Sequence, residues 1–133
     1  MAYYPFATSV ENANITYNPR GTTINNNGDV NSDYKIIYKI EDIQSGVYLY
    51  SVYNKNVFGS LKLENVEAAP GDTYILIDTR TNLIEGLDAN LNKTKNLYNK
   101  YITAGDFFKA PPGYSTFFTD KKFYSAKYNS IYF

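Results

Sequence analysis

The run Tyr34-Lys35-Ile36-Ile37-Tyr38-Lys39-Ile40 alternates along its length. Tyr34, Ile36, Tyr38 and Ile40 share one face and Lys35 and Lys39 the other, the two-residue period of a strand with one buried and one wet side. Val47 to Tyr53 repeats the pattern, with Tyr48, Tyr50 and Val52 on one face. Val57 to Val66 follows, with Gly59 as a candidate bulge. Pro70-Gly71-Asp72 carries a type II turn signal and launches the strongly apolar strand Thr73 to Thr79. A short hairpin leads to Leu83-Ile84, and two closing strands run over Tyr114 to Thr119 and Phe123 to Tyr132, with Lys121-Lys122 at their hairpin.

Other stretches carry weaker patterns. Residues 1–14 read as a polar, irregular lead, and Ile15-Thr16-Tyr17 as a short strand ended by the turn Asn18-Pro19-Arg20-Gly21. Asn25 to Asp29 marks a tight turn, because Asn-Gly tolerates positive φ. Over residues 90–103, Leu91, Tyr98, Tyr101 and Ile102 fit one face of a short helix or an ordered loop. Roughly eight or nine short strands separated by turns predict an antiparallel β-sandwich, without internal repeat or linker, and so a single domain over residues 1–133.

Composition narrows the function. The chain has 15 Tyr and 8 Phe but no His, Cys or Trp. His is the one side chain that titrates near neutrality unperturbed, and Cys supplies nucleophiles and thiolate metal sites, so the usual routes to catalysis are missing. Thirteen basic and thirteen acidic residues cancel, which gives no bulk attraction to nucleic acid or an anionic membrane. The modest clusters Lys93, Lys95, Lys100 and Lys121, Lys122, Lys127 read as solvated faces. No apolar run approaches the ~20 residues of a membrane span. Met1 to Phe6 lacks the basic and apolar regions of a signal peptide, and the absence of disulfides suits a reducing compartment. Asn14-Ile15-Thr16 and Asn92-Lys93-Thr94 match the glycosylation pattern, which without secretion reads as chance.

The order of turns and strands carries a resemblance. Asn27-Gly28-Asp29, an alternating strand, Gly71-Asp72, Ile77-Asp78-Thr79, Phe107-Phe108 and Pro112-Gly113 follow one another over residues 24–132. In this they resemble the C-terminal domain of siphophage distal tail proteins, the phage tail family. The chain departs from the family at Ser115, where members usually have Asn. The resemblance implies a galectin-like, jelly-roll-like sandwich in a tail tip or baseplate. Partners would be copies of itself, in a ring that is hexameric in the family, and neighbouring tail proteins such as the tail tube or the tail-associated hub. It places the chain in a virion tail or phage-like particle assembled in the bacterial cytoplasm. Full-length members also carry an N-terminal domain that builds most of the ring.

Read from the residues alone, Gly28, Asp29, Pro70, Gly71, Asp72, Asp78, Thr79, Pro112 and Gly113 set turns: glycines supply positive φ, and Asp and Thr side chains accept backbone N–H groups. The carboxylate pairs Glu41/Asp42 and Asp72/Asp78 are poorly placed for glycoside hydrolysis, since adjacent strand residues diverge and Asp72 and Asp78 lie roughly 20 Å apart along a strand. Asn25, Asn26, Asn27, Asp29, Asn31 and Asp33 are rich in oxygen but lack the spacing of a calcium loop. No enzyme activity, metal or cofactor is therefore expected. Tyr48, Tyr50 and Tyr53 with Asn54 and Asn56 form a candidate contact patch, for a protein partner or for a host-surface carbohydrate stacked on the rings.

Overall fold

The computed structural model describes residues 8–11 and 15–132. Its strands are β1 (Thr8–Glu11), β2 (Thr22–Asn26), β3 (Tyr34–Lys39), β4 (Val47–Tyr53), β5 (Asn56–Leu63), β6 (Tyr74–Asp78), β7 (Leu83–Leu87), β8 (Lys93–Leu97), β9 (Ile102–Gly105), β10 (Gly113–Thr119) and β11 (Ser125–Tyr132). They form a six-stranded sheet in the order β1-β11-β3-β6-β7-β8 and a five-stranded sheet in the order β2-β10-β4-β5-β9. The neighbouring strands of both sheets run antiparallel. The protein is an antiparallel β-sandwich.

Period-two alternation builds the core between the sheets. Tyr34, Ile36 and Tyr38 of β3 and Ile75 and Ile77 of β6 are buried, as are Val47 and Leu49 of β4, Leu61 and Leu63 of β5, and Phe117 of β10. Tyr34 lies between Phe108 and Phe117, at ring-centroid distances of 5.5 and 5.8 Å. The Tyr38 hydroxyl meets the Thr119 hydroxyl at 2.9 Å, joining β3 of one sheet to β10 of the other. Because the Thr119 hydroxyl donates to the Lys121 carbonyl, Tyr38 is the donor of this pair. Burial raises the hydroxyl pKa of both Tyr34 and Tyr38 well above the ordinary value.

Several segments differ from the sequence expectations. Within the lead expected to be irregular, Thr8–Glu11 is a strand paired with β11. Ile15-Thr16-Tyr17 joins no ladder; its Ile15 N–H reaches the Ala126 carbonyl, and Tyr17 sets its ring edge-on to Phe123 at 5.5 Å. The first strand of the five-stranded sheet is instead β2, whose β-branched Thr22-Thr23-Ile24 pairs with β10 and whose polar composition hides its period. Residues 90–103 resolve into β8, one 3-10 turn at Asn99–Tyr101, and β9. The helical spacing there is a coincidence of burial: Tyr98 packs into the core while Leu91 sits half-exposed on a loop. Asn99 secures this corner, its Oδ1 accepting the Ile84 N–H and its Nδ2 donating to the Asn82 carbonyl. Lys121-Lys122 does not close a hairpin, because β10 and β11 belong to different sheets and the segment between them crosses the sandwich.

Candidate functional site: an aromatic sheet face

The outer face of the five-stranded sheet is built by β4, β5 and β10. Leu49 and Ser51 of β4 turn inward, so Tyr48, Tyr50 and Val52 turn outward. On β10, Ser115 and Phe117 turn inward, which sends Tyr114, Thr116 and Phe118 outward. Register places Phe118 directly opposite Tyr50, and Thr116 opposite Val52. The Tyr50 and Phe118 rings stack at 4.8 Å with planes 13° apart, and Tyr48 lies 5.4 Å from Tyr50. Phe118 also abuts Gly21, where a Cβ would stand 2.6 Å from the Phe118 ring. The result is a continuous row of aromatic rings.

Around this row Val57, Phe58 and Tyr114 are exposed, at 62%, 43% and 68%. Lys62 stands opposite Tyr48, and its ammonium meets the Glu64 carboxylate at 2.9 Å. That hydrogen bond and charge raise the Lys62 pKa and leave the pair neutral. The Asp120 carboxylate accepts the Tyr48 N–H at 2.7 Å. A large, aromatic and nearly uncharged surface of this kind is suited to a protein contact.

Of the five predicted contact residues, Tyr48 and Tyr50 lie together on this face. Tyr53 shares the parity of Leu49 and Ser51, on the other side of β4, and sits half-buried and edge-on to Phe58 at 6.1 Å. Asn54 and Asn56 shape the β4–β5 hairpin instead. Asn54 and Lys55 both have positive φ, 51° and 66°, the signature of a type I′ turn. The Asn56 amide donates to the Asn54 carbonyl. The bulge anticipated at Gly59 falls beside it, since Ser51 pairs with Gly59 and Val52 with Val57, leaving Phe58 as the additional residue. The sequence reading missed Phe118, Tyr114 and Phe58. Parity along β10 would have grouped Tyr114 with Phe118, but only the β10–β4 pairing brings them to Tyr50.

The predicted turn residues divide into those that shape turns and those that bridge strands. Gly71 has φ +88°, and the Asp72 N–H donates to the Ala69 carbonyl, closing the anticipated turn. The Gly28 N–H donates to Asn26 Oδ1, with Asp29 on the bend beside it. After Pro112, Gly113 opens β10 with φ +96°. Asp78 accepts the Arg80 N–H and holds the β6–β7 turn. Thr79 departs from expectation: its hydroxyl accepts the Tyr34 N–H at 2.9 Å and donates to the Tyr34 carbonyl at 3.2 Å, so it ties β6 to β3.

Asp72 also reaches beyond its own turn. Its carboxylate accepts the Thr94 hydroxyl, the Asn96 amide at 3.1 Å and the Tyr98 hydroxyl, while that hydroxyl accepts the Ala69 N–H at 2.9 Å. Burial first, and the bond to Asp72 second, push the Tyr98 pKa up to about 12. In the oxygen-rich segment, the Asn26 amide is spent on the Val30 and Ala110 carbonyls, and Asp33 pairs with Lys109 at 2.9 Å. Among the described residues no group of three His, Cys, Asp or Glu side chains is placed to hold a metal ion, and no helix is long and apolar enough to cross a membrane.

No protein-family model matches the chain, and no curated protein matches it. Among solved structures, the crystal structure of the Dit (gp 19.1) protein of phage SPP1 is similar. That protein is described as a paradigm of the hub adsorption apparatus in phages infecting Gram-positive bacteria. The TM-score is 0.56 at 13% sequence identity, over 95% of this chain and 48% of the other. The chain spans about half the length of that protein. At this identity the likeness is one of fold alone: this β-sandwich shares the fold of about half of the SPP1 protein.

Proposed function

We propose that the chain is a structural component of a phage tail tip or phage-derived tail particle, acting by protein–protein assembly and not by catalysis. The observation that carries this reading is the aromatic, nearly uncharged outer face built on Tyr48, Tyr50 and Phe118. The shared fold with the SPP1 protein supplies the setting. In this reading residues 1–133 fold as one galectin-like sandwich. Its partners are copies of itself in a ring and neighbouring baseplate proteins, and the particle is assembled in the bacterial cytoplasm before it serves in host attachment.

Ring geometry favours a protein partner over a host-surface sugar. A sugar stacks on an open ring face, whereas Tyr50 and Phe118 stack on each other and Gly21 crowds the Phe118 ring. Alanine in place of Tyr48, Tyr50 and Tyr53 separates the two uses. The triple variant is expected to lose self-association, and a glycan array is expected to detect no sugar bound by the unaltered chain. Strong array binding that vanishes in the triple variant, with self-association intact, would reverse the assignment.

A further inference from the structure

The loop between β2 and β3 leads from the five-stranded sheet to the six-stranded one and carries Asn27-Gly28, the one Asn-Gly pair in the chain. Asn27 is exposed and lies outside every ladder. In such a pair the backbone nitrogen of the glycine reaches the preceding side-chain amide readily, because glycine has no side chain to hinder the approach. The Gly28 nitrogen bonds to the Asn27 side-chain carbonyl carbon, and the amide nitrogen leaves as ammonia, taking the Gly28 N–H proton. A cyclic imide remains. Water opens it at either carbonyl. One product is aspartate at position 27. The other is an isoaspartyl link, in which the main chain runs through the former side chain and is one carbon longer.

Asn26 stands in the way of this reaction. Its Oδ1 accepts the Gly28 N–H at 2.9 Å, so the attacking nitrogen is held in a turn closed by the preceding side chain. Asn26 is itself fixed. It is 2% exposed, and its Nδ2 donates to the Val30 carbonyl at 2.9 Å and to the Ala110 carbonyl at 3.0 Å. Ala110 lies just before β10 and exchanges two backbone bonds with Ser32 at the other end of the loop. The side chain that holds Gly28 is thus anchored to the body of the sandwich as well as to the loop. Asn31-Ser32, the next Asn followed by a small residue, is closed in another way, since the Ser32 N–H donates to the Ala110 carbonyl at 2.7 Å.

We propose that Asn27 is a site of spontaneous deamidation whose rate is set by the Asn26 side chain. While the Asn26–Gly28 bond is closed the Asn27 amide is spared, and each local opening of the loop frees the Gly28 nitrogen to react. Conversion places a new carboxylate two residues from Asp29, and the isoaspartyl link lengthens the chain where Gly28 meets Asn26. The inference stands apart from the assembly reading, because neither residue belongs to the aromatic face.

The test follows Asn27 by peptide mass spectrometry while the full chain is incubated at mildly alkaline pH, beside a capped peptide of residues 25–30. Asn27 is expected to convert before any other Asn of the chain, with isoaspartate as the main product. It should react at least about tenfold more slowly than in the peptide, the weight of one hydrogen bond in an equilibrium. Asn26→Ala is expected to bring the rate close to that of the peptide. Because this variant also frees the Val30 and Ala110 carbonyls, amide hydrogen exchange on the unaltered chain gives an independent reading. Protection of the Gly28 amide should match the slowing of the reaction, and the two should fall together in sub-denaturing urea. An unaltered chain that stays intact while Asn26→Ala converts supports the proposal. Three results overturn it: another Asn reacting first, the unaltered chain reacting at the rate of the peptide, or Asn27 staying as slow as before in Asn26→Ala or in urea that frees the Gly28 amide.

Discussion

Tyr98→Phe removes one oxygen atom and two hydrogen bonds. The hydroxyl donates to the Asp72 carboxylate and accepts the Ala69 N–H, joining the β8 corner to the turn before β6. A neutral bond contributes about 1 kcal/mol and one to a charged group about 1.5–3 kcal/mol, so the loss should be about 3 kcal/mol. In a chain of this length that lowers Tm by about 10 °C. The change carries a pH signature as well. The folded-state pKa of Tyr98 is raised to about 12, above the ordinary value of 10. Its contribution is fully present below pH 10 and is lost as pH rises through 12, at a rate approaching 1.4 kcal/mol per pH unit, roughly one proton. Tyr34 and Tyr38, also raised, keep the variant sensitive to alkali, but its stability should fall less steeply than wild type across this window. Urea unfolding followed by circular dichroism at pH 7, 10 and 11 measures both effects. A cycle with Asp72→Asn should show coupling of at least about 1 kcal/mol. A Tm within about 1 °C of wild type, with the same alkaline slope, would refute the reasoning.

Lys55→Gly relieves a positive φ in the β4–β5 turn and is expected to stabilise by about 1 kcal/mol in thermal unfolding. Gly105→Ala drives a Cβ to 2.1 Å from the Ser60 carbonyl oxygen at φ +76°, and should detach β9. Hydrogen exchange is expected to accelerate at residues 102–105 while β3 and β6 stay protected. Thr79→Val keeps the shape but leaves the Tyr34 N–H without its acceptor, costing about 1–3 kcal/mol in urea unfolding.

The strands that alternate around strong apolar residues were legible in the sequence, because burial on one side imposes the period directly. β4 has the bounds expected of it, and β3, β6 and β10 lie within a residue of theirs. What alternation does not specify is which strands pair. The two lysines after β10 looked like a hairpin, yet the chain crosses there to the other sheet, where Ala126 is buried and Tyr128 packs against the core. β2 and β8 escaped because they are polar edge strands, held by long-range ladders and by Asn26 and Asn99 side chains more than by an apolar period. For the site, parity put Tyr48 and Tyr50 on one face. It could not say that this face is the exposed one, or that Phe118 completes the row. Asn54 and Asn56 looked like contact residues because the polar atoms that shape a turn are the same ones that bind a ligand.

Absolute mass by light scattering after size exclusion, compared between the unaltered chain and the Tyr50→Lys/Phe118→Lys variant, tests the central claim most directly. The account predicts a mass that is a multiple of 15.2 kDa for the unaltered chain and a monomer with unchanged circular dichroism for the variant. A chain that stays at 15.2 kDa at every concentration, or a variant that keeps the larger mass, would contradict it.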